Sequence, residues 1–367
     1  MWQSVFPFAA WTTSQRELWA LQSLEANGAA LNTGEYTELV GNLDVDAFVR
    51  ASRQTVEECE ALRSRFSERD GQPIQWIAPI GEWSPAIVDL SHETDSSEAA
   101  WDWMAAELAR AFDITGAMFS WTLIKLAETR HFWCLIAHQL AVDGSARNLV
   151  ASRMADNYSR LVDAVEARTK VPGTLRDILR EDAEYRQSEE FEKGRAYWLD
   201  RMGDLPAPTR LTSRASSGSY MPARYTESVA ASVSAAIRKL MADTGVSLSG
   251  LFVCLAALYL RRLTGASDIT VGLLVAARTT PAARNTAGNV SNTVPVRLKF
   301  NANAGTTLAD LIAQVRARIR EALAHQRVPL SKIKAGLPSL KGELYAIAVN
   351  VMKLDRKSTR LNSSHRP

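Results

Sequence analysis

An unbroken apolar run, Phe132-Trp133-Cys134-Leu135-Ile136-Ala137, ends in the polar heptapeptide His138-Gln139-Leu140-Ala141-Val142-Asp143-Gly144. The length of the run and its branched and aromatic content suit a strand buried on both faces. Beyond it Leu149, Val150, Met154, Tyr158, Leu161, Val162 and Val165 recur three or four residues apart, the spacing of an amphipathic helix. Gly144 is expected to break the chain between the two. Polar groups then stand at the end of a buried strand, beside a helix N-terminus whose free N–H groups and positive dipole end favour developing negative charge.

The chain around this segment can bury a large core. With 367 residues and 46% apolar content it fits one large domain or two lobes of ordinary size. The longest apolar stretch, Leu248 to Leu260, is too short to span a bilayer and is interrupted by Ser249 and Gly250. No charged-apolar-small leader is read at the start, so no membrane association and a cytoplasmic location are expected. Cys59, Cys134 and Cys254 are widely spaced within apolar patterns and read as reduced, buried thiols. The formal charge of +3 comes from the last twelve residues, which hold Arg356, Lys357, Arg360 and Arg366 and no acid; without them the balance is 39 basic to 40 acidic residues. Nucleic-acid binding therefore has little support. His92, His131, His138, His325 and His365 show no paired ligand spacing, so no metal site is read. Neither a phosphate loop nor a serine-nucleophile elbow occurs.

The rest of the chain alternates helix and strand. Glu38-Leu39-Val40-Gly41 reads as a strand, and Asp44 caps a helix carrying Val45, Phe48, Val49, Val56, Cys59, Leu62 and Phe66 on one face. Phe119–Leu126 and Phe132–Ala137 read as a strand pair joined by Ala127-Glu128-Thr129-Arg130, and a helix is expected over about 97–112. Pro172-Gly173 is the best candidate for a lobe boundary. The second half repeats the grammar, with helices near 229–243 and 247–263, strands at Ile269–Val275, Thr293–Phe300 and Leu344–Met352, and a helix capped by Thr307. The expected division is an N-terminal lobe over 1–172, an incomplete C-terminal lobe over 173–355, and a polar tail over 356–367 read as foreign sequence.

His138-Gln139-x-x-x-Asp143-Gly144 resembles the His-His-x-x-x-Asp-Gly signature of the condensation domains of nonribosomal peptide synthetases, with Gln139 at the second, catalytic histidine. The resemblance extends along the chain. Thr12-Thr13-Ser14-Gln15-Arg16-Glu17-Leu18-Trp19-Ala20-Leu21 is similar to the family's opening motif, and Glu60-Ala61-Leu62-Arg63-Ser64-Arg65-Phe66 to its Glu-x-Leu-Arg-Thr-x-Phe. Gly272-Leu273-Leu274-Val275-Ala276-Ala277-Arg278 resembles Gly-x-Pro-x-Ala-x-Arg, with Leu274 replacing proline. Gly288-Asn289-Val290-Ser291-Asn292-Thr293-Val294-Pro295-Val296-Arg297 and His325-Gln326-Arg327-Val328-Pro329-Leu330 complete the series in order, from about residue 10 to Asp355.

The resemblance implies an α/β fold of α+β type: two chloramphenicol-acetyltransferase-like lobes, each a mixed sheet packed with helices, arranged as a V around a tunnel. It implies amide, or alternatively ester, bond formation between an upstream acyl or peptidyl thioester and a downstream aminoacyl thioester, in secondary-metabolite synthesis such as that of a siderophore. The partners implied are carrier domains, whose phosphopantetheine arms bring the substrates, and an adenylation domain in the same or a neighbouring chain; no cofactor is bound directly. Gln139 and His138 are the candidate catalytic positions. A glutamine cannot act as a base, a loss worth ~10²–10⁴-fold, but its amide can donate to an oxyanion or orient the amine. Two readings of Gln139 are therefore held equally: a positioning group, or a structural replacement in a site that has lost activity. The resemblance assigns His138 a structural part; it could act as a substitute base only by facing the same tunnel, and adjacent strand residues point to opposite faces. Asp143 is expected to pair with Arg278 of the C-terminal lobe, Gly144 to serve backbone conformation, and Asn292 and Arg297 to line or brace the cleft, with a purely structural part the preferred reading of each. Gln15, Trp19, Tyr185 and Trp198 are read as packing residues. The alternatives are a non-catalytic carrier-docking module and a stand-alone thioester-dependent acyltransferase.

Overall fold

The computed structural model describes residues 11–22, 28–70, 72–163, 172–206, 225–300, 307–337, 340 and 342–352. The tail over 356–367 lies outside them. In chain order the elements are α1 (Thr13–Gln22), β1 (Asn32–Val40), α2 (Val45–Glu58), β2 (Ser64–Arg69), β3 (Gln72–Ile77), β4 (Ala86–Asp89), α3 (Ser96–Leu108), β5 (Phe119–Ala127), β6 (Arg130–His138), α4 (Gly144–Asp163), α5 (Leu175–Arg186), α6 (Glu189–Met202) and α7 (Ala231–Thr244). They continue with α8 (Leu248–Thr264), β7 (Asp268–Val275), α9 (Pro281–Asn285), β8 (Asn292–Lys299), α10 (Leu308–Ala324), α11 (Leu330–Ala335) and β9 (Ala348–Val349). Chain contacts divide the described residues into two compact units, one formed by those up to Ala183 together with Arg278–Val290, the other by Glu184–Ala277 together with those from Ser291 to Met352.

The first unit is built on a four-stranded sheet of order β1-β6-β5-β4, in which β6 pairs antiparallel with both β1 and β5, and β4 runs parallel to β5. The alternation of β6 explains its central place. Trp133, Leu135 and Ala137 enter one core with Phe48, Ala51 and Val56 of α2 and Ala146, Val150 and Met154 of α4. Phe132, Cys134 and Ile136 enter a second core with Ala100 and Met104 of α3. A large apolar side chain taken from water contributes roughly 1.5–3 kcal/mol, so a strand apolar on both faces is most stable with a layer on each side. α4 starts one turn earlier than its apolar pattern, at Gly144, while Leu161 and Val162 near its end are exposed.

Two local expectations fail here. The helix capped by Asp44, whose carboxylate accepts the Ala47 N–H at 2.8 Å, stops at Glu58 instead of reaching Phe66. After a 3-10 turn at Glu60–Arg63 the chain extends into β2, where Phe66 is fully buried and pairs across to Gln75 of β3. Apolar spacing continues through the break because both elements face the same core, which hides the change of conformation. β1 begins six residues before the apolar Glu38–Gly41 run, since the polar Asn32-Thr33-Gly34-Glu35 segment gains its hydrogen bonds from β6.

The second unit holds a three-stranded sheet of order β8-β7-β9, with β7 antiparallel to β8 and parallel to β9. α8 and α10 pack on it through Leu251, Cys254, Leu260, Leu311, Ile312 and Val315. Thr307 caps α10 as expected, in a reciprocal box with Asp310. Gly272 of β7 is required by close approach: a Cβ there would stand 2.7 Å from the ring of Tyr345. The strand expected over Leu344–Met352 is ordered as β structure only at Ala348–Val349, where it pairs with Gly272 and Leu273. Among the described residues no single helix is long and apolar enough to cross a membrane.

Candidate active site

β6 ends at His138, and the signature occupies the turn between it and α4. Asp143 is the N-cap of α4. Its Oδ1 accepts the Ala146 N–H at 2.7 Å and also an Nη2–H of Arg278 at 2.9 Å, while Oδ2 accepts the Val290 N–H at 3.0 Å. A carboxylate so placed satisfies donors of the helix start and complements its dipole. Arg278 spreads over the 278–290 segment, donating from Nη1 to the carbonyls of Ala283 and Thr286 and from Nη2 to that of Gly288. The side chains of the pair are 2% and 9% exposed, so both charges are out of water and depend on each other. Asp143 and Arg278 thus meet inside one unit, because the chain leaves β7 through Ala277, held at a left-handed φ of 50°, and lays residues 278–290 against the first sheet's cluster.

His138 is fully buried. Its Nδ1 accepts the Leu140 N–H at 3.2 Å, which leaves the ring proton on Nε2, 3.2 Å from Oε1 of Gln22 in α1. Burial pushes its imidazole down to about 4. Both nitrogens are engaged and the ring is neutral, so His138 has no lone pair to offer a substrate.

This burial makes stability depend on pH. An unfolded histidine titrates near ~6.5. Above that value neither state is charged and native stability is complete; as pH falls from ~6.5 towards ~4 the unfolded chain takes a proton that the folded chain refuses, and stability is lost. Urea unfolding at pH 7.5 and 4.5 should therefore differ by about 2–3 kcal/mol more in the native chain than in His138→Gln. Equal differences in the two proteins would rule out His138 as the source.

Gln139 is half-buried, and its N–H donates to the Leu31 carbonyl at 2.9 Å. Its carbonyl accepts from the Asn289 side-chain amide, and the next carbonyl, that of Leu140, accepts from Nε2 of Gln15 at 3.0 Å. Gln15 also closes the start of α1, accepting the Thr12 N–H at 2.9 Å while Thr12 accepts the Gln15 N–H at 3.2 Å. Read as a packing residue, Gln15 is in fact a hydrogen-bonding brace of the signature; its place three residues after Thr12 was the available signal. Gly144, expected to break the chain, is the first residue of α4, and its φ is not left-handed. Trp19 packs edge-on to Trp11 at 4.9 Å.

The other expected site residues lie in the second unit. Asn292 donates to the carbonyls of Gln326 and Val328 at 2.8 and 2.7 Å, bracing the turn between α10 and α11. Arg297 is 4% exposed and bound to Asp268 at 2.5 Å and to Asp204, whose carboxyl is held down at about 2 by the guanidinium. These are internal contacts of that unit. Tyr185 and Trp198 are buried in its core, and Trp198 donates to the His325 carbonyl at 3.1 Å. Among the described residues no cluster of histidine, cysteine and carboxylate side chains could hold a metal ion.

A mixed α/β architecture with a polar turn at the end of a central strand, fixed by a buried aspartate–arginine pair, belongs to the chloramphenicol-acetyltransferase-like class. The profile described as "Condensation domain" matches residues 7–354, and the chain belongs to the condensation-domain family. It is 32% identical over 348 residues to a dimodular nonribosomal peptide synthase of Bacillus subtilis (strain 168), covering 94% of this chain and 14% of that one. It is 30% identical over 346 residues to an isonitrile lipopeptide synthase of Streptomyces coeruleorubidus, covering 93% and 23%. The chain therefore spans less than a quarter of either relative's length. Among solved structures, a variant of the starter condensation domain of rhizomide synthetase in complex with C8-CoA superposes with a TM-score of 0.84 at 30% identity, covering 94% of this chain and 78% of that one. The first condensation domain of the CDA synthetase gives 0.85 at 28% identity, covering 95% and 81%.

Proposed function

We propose that this chain forms an amide bond between an upstream acyl or peptidyl thioester and the amine of a downstream aminoacyl thioester, both carried on phosphopantetheine arms of carrier domains. The observation that carries this reading is the buried Asp143–Arg278 pair, which holds the turn bearing residue 139 although the residue itself cannot take a proton. Support comes also from similar structures whose descriptions name C8-CoA, an acyl thioester, and Leu-SNAC as bound molecules. An adenylation domain in the same or a neighbouring chain would supply the activated amino acid.

In this mechanism the amine nitrogen attacks the thioester carbonyl, the C–N bond forms and the carbonyl oxygen becomes negative. The carboxamide N–H of Gln139 donates to that oxygen or orients the amine. The C–S bond then breaks, the thiol of the upstream arm leaves, and the amine's extra proton passes to the sulfur or to water. The groups braced around the turn are Gln15, His138, Asp143, Arg278 and Asn289, and none is placed to remove that proton. Asp143 is occupied on both oxygens, and His138 is neutral and bonded on both nitrogens. The amine must arrive uncharged, so the rate should rise with pH up to the amine's own pKa, near ~8.

The test loads donor and acceptor carrier domains and follows the condensed thioester by mass spectrometry for the native chain and for Gln139→His. Product from both supports the positioning role of Gln139. Product from the variant alone supports a non-catalytic docking module. Turnover of a free coenzyme A thioester without carriers would favour a stand-alone acyltransferase.

A further inference from the structure

We propose that Asn289 is the positioning residue that sets the direction of the side chain at position 139. The inference rests on the site reading above but not on the chemistry that Gln139 performs. The peptide unit joining Gln139 to Leu140 is gripped at both ends by side chains: its carbonyl accepts from Asn289 Nδ2, and its N–H donates to His138 Nδ1 at 3.2 Å. The preceding peptide is fixed by the Gln139 N–H on the Leu31 carbonyl at 2.9 Å. With the peptide planes on either side of its Cα pinned, the backbone angles of residue 139 are set, and with them the line along which Cβ leaves the end of β6.

Asn289 is itself held for this task. It is 2% exposed, and its Oδ1 accepts from Ser14 Oγ at 2.7 Å, which turns the amide nitrogen towards the Gln139 carbonyl. Its own carbonyl accepts from Thr12 Oγ1 at 3.0 Å, and the adjoining Gly288 carbonyl and Val290 N–H are tied to Arg278 and Asp143. The buried ion pair and the 139 carbonyl are thus joined through three consecutive residues, 288–290. An aspartate at 289 fills the same volume and still accepts from Ser14, but it sets a carboxylate oxygen against the carbonyl it should bond. Its effect separates donation from packing.

The reporter is Gln139→Cys. Cys59, Cys134 and Cys254 are buried, and burial pushes their thiols up to about 12, 12 and 11, so a chromogenic disulfide reagent should label position 139 selectively in the folded chain. Adding Asn289→Asp should raise the labelling rate fivefold or more, because the freed turn samples other directions. Thr55→Val, which removes a buried hydrogen bond to the Ala51 carbonyl within α2 and one from Asn157 of α4, should leave the rate within twofold. In parallel, Asn289→Asp in the Gln139→His chain should lower kcat at least tenfold with carrier KM unchanged. An unchanged labelling rate in Asn289→Asp overturns the proposal whatever the kinetics; a raised rate with no product from any variant upholds it and removes the proposed reaction instead.

Discussion

Arg278→Met should destabilise the first unit by about 3–5 kcal/mol, the range found when one partner of a buried ion pair is removed. The loss has two sources. Asp143 keeps its bonds to Ala146 and Val290 but loses the Arg278 guanidinium from its Oδ1, in a site where it is 2% exposed. The carbonyls of Ala283, Thr286 and Gly288 lose their donors as well. Asp143→Ala should cost a comparable amount, by stranding the guanidinium and uncapping α4. The double variant should cost clearly less than the two together, since the second change removes the charge that the first left stranded. Tryptophan fluorescence in urea reads this unit almost alone, because of the ten tryptophans only Trp198 lies beyond residue 183. A loss under about 1 kcal/mol for Arg278→Met would place the pair outside the desolvated class altogether.

Gln139→His should raise the rate of condensation by ~10²–10⁴, the usual contribution of a positioned general base. Magnitude alone would not identify the cause, so the pH profile carries the argument. The native chain should show one limb, set by the substrate amine near ~8, while the variant should gain activity at lower pH with a second inflection at or somewhat below ~6.5. Partial burial of position 139 moves that inflection down, as full burial does at His138. Identical profiles and rates would mean that residue 139 is remote from the reacting atoms, and the proposed reaction would lose its centre.

Much of the first sheet was legible because β6 buries both faces and advertises it in six consecutive apolar residues. The pairing of Asp143 with Arg278 was legible only through resemblance: the residues are 135 positions apart, and no periodicity links them. The same limit hid Asn289, whose contact with Gln139 spans 150 positions and is a single polar bond. Patterns of apolar spacing report which face of an element is dry; they carry nothing about which amide meets which carbonyl. They also pass smoothly across a change of element, which is why the apolar spacing of α2 runs on through Phe66 although the chain has already turned into β2.

The excursion of residues 278–290 back to the first unit bears on how the protein is made. A nascent chain exposes its N-terminal portion long before Arg278 has been synthesised, and throughout that interval Asp143 would sit at the head of α4 without the Arg278 guanidinium, beside a core still missing Ala287. The early segment can collapse but cannot lock. Its final closure waits on translation of a stretch encoded beyond most of the other unit, so a ribosome stalled anywhere between codons 184 and 277 should present a loosely packed, protease-sensitive intermediate.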